Sequence, residues 1–421
     1  MFTVLIILLS IFPSLVAAQQ GAGPEIPIVL EHADSIVGSG VFESSIRTFY
    51  GNVRFQQGNV TGRCDRAIHN VLANTVELFG NVVVKQGQLS MYAPEVRYSG
   101  GRFIANAPRG IRVEQKGQVI TARKGVYATT THIAEFFGDV VMRDDTTTVW
   151  SDSLVYDRDL DTMRAAGSVA GYDSTGNMWF EADIARRNAV NASYTLSRNA
   201  RLWTWEPSED TMYVSADSIL SLRDNAHAGA RTVRAIGDAT LIKGTTAAAA
   251  GEIMYDEAEE RILLSNAPYV WTDSIAFAAN AVTARIPGRT LTQMTGTGSA
   301  ILMSQVQGVQ PRRYDQIYGD SISLTFAQDS LRSLHAAGAA QSVTYRGEGG
   351  KQDGVAQVAA DSIRALFDAG TLSEVYWLGG IAGEHHPERL VEGREGQFLL
   401  PSFQWREDRP LMPRPRKQNQ R

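Results

Sequence analysis

Few residues of this chain are grouped in a way that could do chemistry. His385-His386 is a lone pair near a loop, where a surface position is far commoner than metal binding. Trp203-Thr204-Trp205 could stack on a sugar ring, but strand-edge packing is the commoner use of such a pair. Asp144-Asp145 and the series Asp157, Asp159 and Asp161 fall near turns, where a solvated carboxylate is the default. Thr295-Gly296-Thr297-Gly298-Ser299 contains GxG without a third glycine or a following helix, and it reads as a turn. No HExxH, GxSxG, Walker A or dinucleotide fingerprint occurs. No catalytic residue, metal ligand or cofactor site is therefore assigned, and the chain reads as a non-enzyme.

The patterned residues are structural. A small residue followed by Asp, any residue and an aliphatic recurs at Ala33-Asp34-Ser35-Ile36, Cys64-Asp65-Arg66-Ala67, Ser151-Asp152-Ser153-Leu154 and Ala182-Asp183-Ile184-Ala185. It returns at Ala216-Asp217-Ser218-Ile219, Gly319-Asp320-Ser321-Ile322 and Ala360-Asp361-Ser362-Ile363, with weaker copies centred on positions 94, 123, 251 and 280. These eleven copies lie 29 to 41 residues apart. About 15 to 20 residues after most copies comes a glycine mark, as in Gly51-Asn52-Val53, Gly80-Asn81-Val82, Gly138-Asp139-Val140 and Gly167-Ser168-Val169. Asn106-Ala107-Pro108 and Asn266-Ala267-Pro268 replace it in two copies.

Around these marks apolar residues alternate with period two, the signature of strands. Val53 and Phe55 share one face; so do Val76, Leu78, Val82 and Val84, then Phe136, Val140 and Met142, then Leu154 and Tyr156. The mid-pattern glycine marks a bulge or a bend. The repeat Asp is expected at a turn or at the start of a strand, capping nearby N–H groups. Each unit of about 30 residues gives two strands, and eleven units about 22. Two long strands per unit with a central glycine favour bent antiparallel strands in an open jellyroll over a parallel β-helix.

Composition agrees with an exported β protein. The chain has 421 residues, 43% hydrophobic, with 40 basic and 45 acidic groups. No basic face for nucleic acid is evident, and one cysteine, Cys64, excludes a disulfide scaffold. Residues 1–18 read as a cleaved signal peptide ending Val16-Ala17-Ala18, and 19–29 as an N-terminal segment. The repeat array is expected over 30–382, with a break between two abutting jellyrolls near 203–212. Residues 383–421 are expected to be an extended or disordered tail, since Pro410, Pro413 and Pro415 alternate with Arg409, Arg414 and Arg416.

Trp150-Ser151-Asp152-Ser153-Leu154-Val155-Tyr156 with Ala165-Ala166-Gly167-Ser168-Val169, and Leu78-Phe79-Gly80-Asn81-Val82, carry a resemblance to the OstA/LptA family of lipopolysaccharide-transport proteins. The resemblance covers about 30–380. It implies an elongated all-β jellyroll of stacked bent strands whose apolar interior takes up the acyl chains of lipid A. It also implies a periplasmic protein associated with the inner or outer membrane. Its partners would be lipopolysaccharide and other jellyroll proteins of a transport bridge, joined by edge-strand addition, with end-to-end self-association. The groove candidates are Val53, Phe55, Val76, Leu78, Val82, Val84, Phe136, Val140, Met142, Leu154 and Tyr156. The N-terminal edge is expected near Ile28–Ile36 and the C-terminal one near Leu372–Leu378. Two other readings stay open: an exported β-helix carbohydrate-active protein or adhesin, and an outer-membrane scaffold that binds no lipid.

Overall fold

The structure is a computed structural model. It describes residues 28–416 except 40–45, 100–101, 116, 129–130, 176, 206–209, 224–229, 273–274, 307, 328–329, 349–350 and 369–370. Residues 1–18, the expected signal peptide, and most of the N-terminal segment lie outside the described residues. The chain divides into two compact units, Met1–Arg198 and Asn199–Arg421.

Among the described residues there are 26 strands, and their pairing is antiparallel. A parallel β-helix is thereby excluded. Four pairs of short strands are the two halves of one bent strand: Val29–His32 with Ser35–Ser39, Arg261–Ser265 with Tyr269–Trp271, Ile275–Ala278 with Ala281–Arg285, and Thr371–Leu378 with Ala382–Pro387. Both members of each pair lie against the same neighbouring strand. Counting each pair once leaves 22 bent strands. The fold is an all-β jellyroll, built in each unit from the same bent-strand element.

The bend has one local design. Strands carrying the Asp alternate with strands carrying the glycine. Gly80 and the following Asn81 sit at φ 73° and 43°, two left-handed residues in succession. Between paired residues this strand has one residue more than its neighbour, so Arg63 faces Val83 while Arg66 faces Phe79. That is a β-bulge, and it folds both strands over. Asp65 lies in the middle of Val60–Asn70, opposite the bulge, and its carboxylate accepts from Asn81 Nδ2 at 2.9 Å. The repeat Asp is therefore not a turn or strand-start residue, as its sequence pattern suggested. It fills the space that the absent Cβ of the glycine leaves: a Cβ built on Gly80 would lie 2.4 Å from Asp65 Oδ2. Thr295–Ser299 is likewise no turn but the bend of Gln293–Gln305, with Gly298 at φ 75°.

Each bend divides its strand between two layers. The first layer holds the residues before each Asp and after each glycine; the second holds the rest. On Asp strands the inward residues are one before the Asp and two after it, as with Cys64 and Ala67 or Ala360 and Ile363, all buried. The inward residue just before the Asp is small because it sits in the crook of the bend. Inner faces meet across the bend. Trp377, in the second layer, donates from Nε1 to Ser342 Oγ in the first at 3.0 Å. A Cβ on Gly125 would lie 2.4 Å from Ile111 Cδ1, which belongs to the opposite layer.

Of the extended or disordered tail expected over 383–421, residues up to 398 form ordered elements instead, while 399–416 are extended. A last half-strand runs over Ala382–Pro387, then a helical turn Glu388–Val391 and a 3-10 turn Glu395–Phe398. The extended residues 399–416 then run back over unit 2. The reason lies on the outward side of the first layer. Ile301, Met303, Val343 and Val355 point away from the inner face and yet are 0% exposed. An apolar outer face must be covered, and the C-terminal segment supplies the cover.

Candidate functional site

All eleven groove candidates fall at inward positions of unit 1. Val53 and Phe55 follow Gly51; Val76, Leu78, Val82 and Val84 flank Gly80; Phe136, Val140 and Met142 flank Gly138; Leu154 and Tyr156 follow Asp152. Nine are buried, and Phe55 and Val76 are half-buried. Exposure rises from the crook of the bend toward the open ends of the layers. Val96, Ile111, Val169, Met178 and Phe180 line the same face and were missed by alternation alone. Counting from the Asp or the glycine of each copy would have found them.

The face is apolar almost throughout. Ser151 sits in its crook, and the face's phenol and charged groups lie at the rim. The Tyr156 hydroxyl stands 3.5 Å from Asp161 Oδ1, and Arg187 Nη1 lies at the same distance from that atom. Burial, with the Asp161 charge beside it, holds the Tyr156 hydroxyl protonated. Cys64 is buried in the crook of its bend, and burial pushes its thiol up to about 11, so it is no nucleophile.

The remaining sequence features are structural. His386 packs on the ring of Phe398 with centroids 5.2 Å apart. Asp144 accepts the N–H groups of Thr146 and Thr147, and Asp157 those of Asp159 and Leu160. Trp203 is buried beneath the C-terminal segment and donates to the Pro413 carbonyl at 2.9 Å.

The strands at both ends of the described array have one neighbour each. Val29–His32 and Ser35–Ser39 pair only with Ile46–Gln57, and Thr371–Leu378 and Ala382–Pro387 only with Lys351–Asp368. Ile28, Val29, Ile36 and Val37 at one end, and Leu372, Tyr376 and Leu378 at the other, are exposed.

Antiparallel strands folded over an Asp-on-glycine bend, with an apolar inner face and unpaired end strands, define an open β-jellyroll repeat protein. Residues 25–137 match the family model described as OstA-like protein. Among solved structures it resembles LptH from Pseudomonas aeruginosa, the LptA-homologous periplasmic component of that organism's lipopolysaccharide transport device. The match has 17% identity and covers 26% of this chain and 82% of that one. Its TM-score is 0.25, at which the likeness adds nothing to the fold argument. No curated protein matches the chain.

Proposed function

We propose that this chain is a periplasmic protein of the lipopolysaccharide-transport type. It shelters the acyl chains of lipid A between the two layers and joins other jellyroll proteins, or copies of itself, through its end strands. The observation that carries this reading is the inner face of unit 1, where the eleven groove positions form one apolar surface whose exposure grows toward the open ends of the layers. Each CH₂ moved there from water contributes about 0.8 kcal/mol. Repeated equivalent positions let a multi-acyl lipid shift along the array without one deep trap. The unpaired strands at either end offer main-chain groups for β-augmentation. The match of residues 25–137 to the OstA-like family supports the same class of protein.

The test is native mass spectrometry with lipid extraction on protein purified from an envelope fraction. Co-purified lipid A or another multi-acyl glycolipid supports the reading. A lipid-free protein that also fails to bind added lipopolysaccharide refutes it.

A further inference from the structure

The C-terminal segment, a strap over residues 398–416, is held in an unusual manner. Residues 399–416 form no strand and add to no ladder among the described residues. Many of its contacts run instead from side chains of unit 2 to the segment's main chain. Tyr269 OH donates to the Gln404 carbonyl at 3.1 Å and accepts the Arg406 N–H at 3.2 Å. Trp271 Nε1 donates to the Arg406 carbonyl at 3.1 Å, and Trp203 Nε1 to that of Pro413 at 2.9 Å. Gln316 is 1% exposed and brackets the start of the segment, donating to the Phe398 carbonyl at 3.1 Å and accepting the Leu400 N–H at 2.8 Å. Tyr314 packs between Phe403 and Trp405, at centroid distances of 5.2 and 4.8 Å.

A row of aromatic side chains with N–H or O–H donors, spaced along a proline-punctuated extended chain, is the chemistry of proline-rich peptide recognition. Such a chain enters already extended, so little conformational entropy is lost on docking. The row reads carbonyls, and the segment's own side chains add to it: Arg406 lies 5.2 and 5.0 Å over the rings of Tyr269 and Trp271, and Arg409 donates to the Thr272 carbonyl at 3.4 Å. Leu411, at 84% exposed, points away from the protein. The segment is joined to the jellyroll through Glu392–Arg394, an exposed turn with Gly393 at φ 75°.

We infer that the outer face of unit 2 is a binding site for an extended Pro/Arg-rich peptide, filled in cis by residues 398–416 and open in trans to the same segment of a second copy. The second copy is the occupant because its segment is the one whose fit is in view. The turn at 392–394 is where the two arrangements diverge, as in domain swapping. This inference does not depend on lipid binding.

The test uses the full chain with a protease recognition sequence inserted after Gly393. After cleavage, the expected result is that the strap fragment co-elutes with the jellyroll and exchanges with a fluorescent peptide of residues 395–416. Tyr269→Phe with Trp271→Phe removes three main-chain hydrogen bonds and should weaken the peptide's binding about tenfold or more. A full-length chain lacking Glu392–Arg394, whose strap is too short to close on itself, should elute as a dimer, and the same double substitution should return it to monomer. The inference is overturned if the cleaved fragment never exchanges, if cleavage unfolds unit 2, if the double substitution leaves peptide affinity unchanged, or if the shortened chain stays monomeric.

Discussion

The bend makes a quantitative claim that can be tested at two glycines of unit 1. Gly167 sits at φ 79°, and a Cβ there would lie 2.2 Å from Asp152 Oδ2 and 2.8 Å from its Cβ and Cγ. Gly138 sits at φ 77° with Arg123 opposite, and no atom comes closer than 3.1 Å to its built Cβ. Both Gly→Ala changes place a side chain in the left-handed region, at about 1–2 kcal/mol. Arg198 and Asn199 adopt the same backbone at φ 62° and 54° without glycine, so that cost can be borne. Only Gly167→Ala also forces a carboxylate stem aside, adding about 1–2 kcal/mol in the manner of an overpacked site. Gly167→Ala should therefore destabilise by about 2–4 kcal/mol and Gly138→Ala by about 1–2 kcal/mol. Asp152→Ala removes the obstacle, so in its background Gly167→Ala should cost only as much as Gly138→Ala. Urea unfolding followed by far-UV circular dichroism, run as a double-mutant cycle, measures the coupling. If Gly138→Ala costs as much as Gly167→Ala, or if Asp152→Ala gives no relief, the account of the Asp as filler of the glycine's space fails.

Three further outcomes are expected. Val82→Asp should abolish co-purification of multi-acyl lipid, whereas Leu72→Asp, on a 76% exposed side chain, should leave it intact; lipid extraction distinguishes the two. Arg313 is buried with Glu388 at 2.6 Å and Glu395 at 3.2 Å, so Arg313→Ala strands two carboxylates, costs about 3–5 kcal/mol locally, and should speed proteolysis at Glu392–Arg394. Burial pushes Asp315 up to about 6, against the hydrogen bond it accepts from the Tyr345 N–H. Its folded pKa lies above its unfolded one, so the stability it confers is full below about pH 4 and is lost as pH rises through about 6. Asp315→Asn should then raise stability at pH 7.5 by about 1–3 kcal/mol and flatten the profile between pH 4 and 7, read by tryptophan fluorescence in urea. A less stable variant at pH 7.5 would contradict this.

The bend was legible because glycine is the residue that tolerates a left-handed backbone, and Gly80 stood inside an unbroken period-two pattern. The role of the Asp was not legible. Asp65 has the same neighbours in sequence whether it caps a turn or lies against a glycine one strand away, and only the pairing of Arg66 with Phe79 decides between them. The inward faces followed from alternation where outward residues were polar, as at Glu77, Asn81 and Lys85. The strap was hidden for the opposite reason. Ala300-Ile301-Leu302-Met303 and Tyr269-Val270-Trp271 are apolar on both faces, the mark of strands covered on both sides. That signal was in the chain, but the Pro/Arg composition of 401–416 reads as a solvated end, and nothing local says which surface such a segment will cover.

The bend also sets how the copies can change length. In the Asp strands, which face a side chain takes is counted outward from the Asp, and the count restarts on either side of it: Ser151 and Leu154 both turn inward though three residues apart. The bulge strand takes up the difference with its extra residue, so Phe136 and Val140, four apart, face them. The bend thus acts as the origin of a ruler. Residues added beyond the last ladder pair at a strand's far end leave every mark in place, whereas one residue inserted between bend and end would turn over everything beyond it. The longer copies keep to this rule. Their additional length sits at the ends farthest from the bend, in the 308–313 loop and in the extended tips of Ser330–Glu348 and Lys351–Asp368.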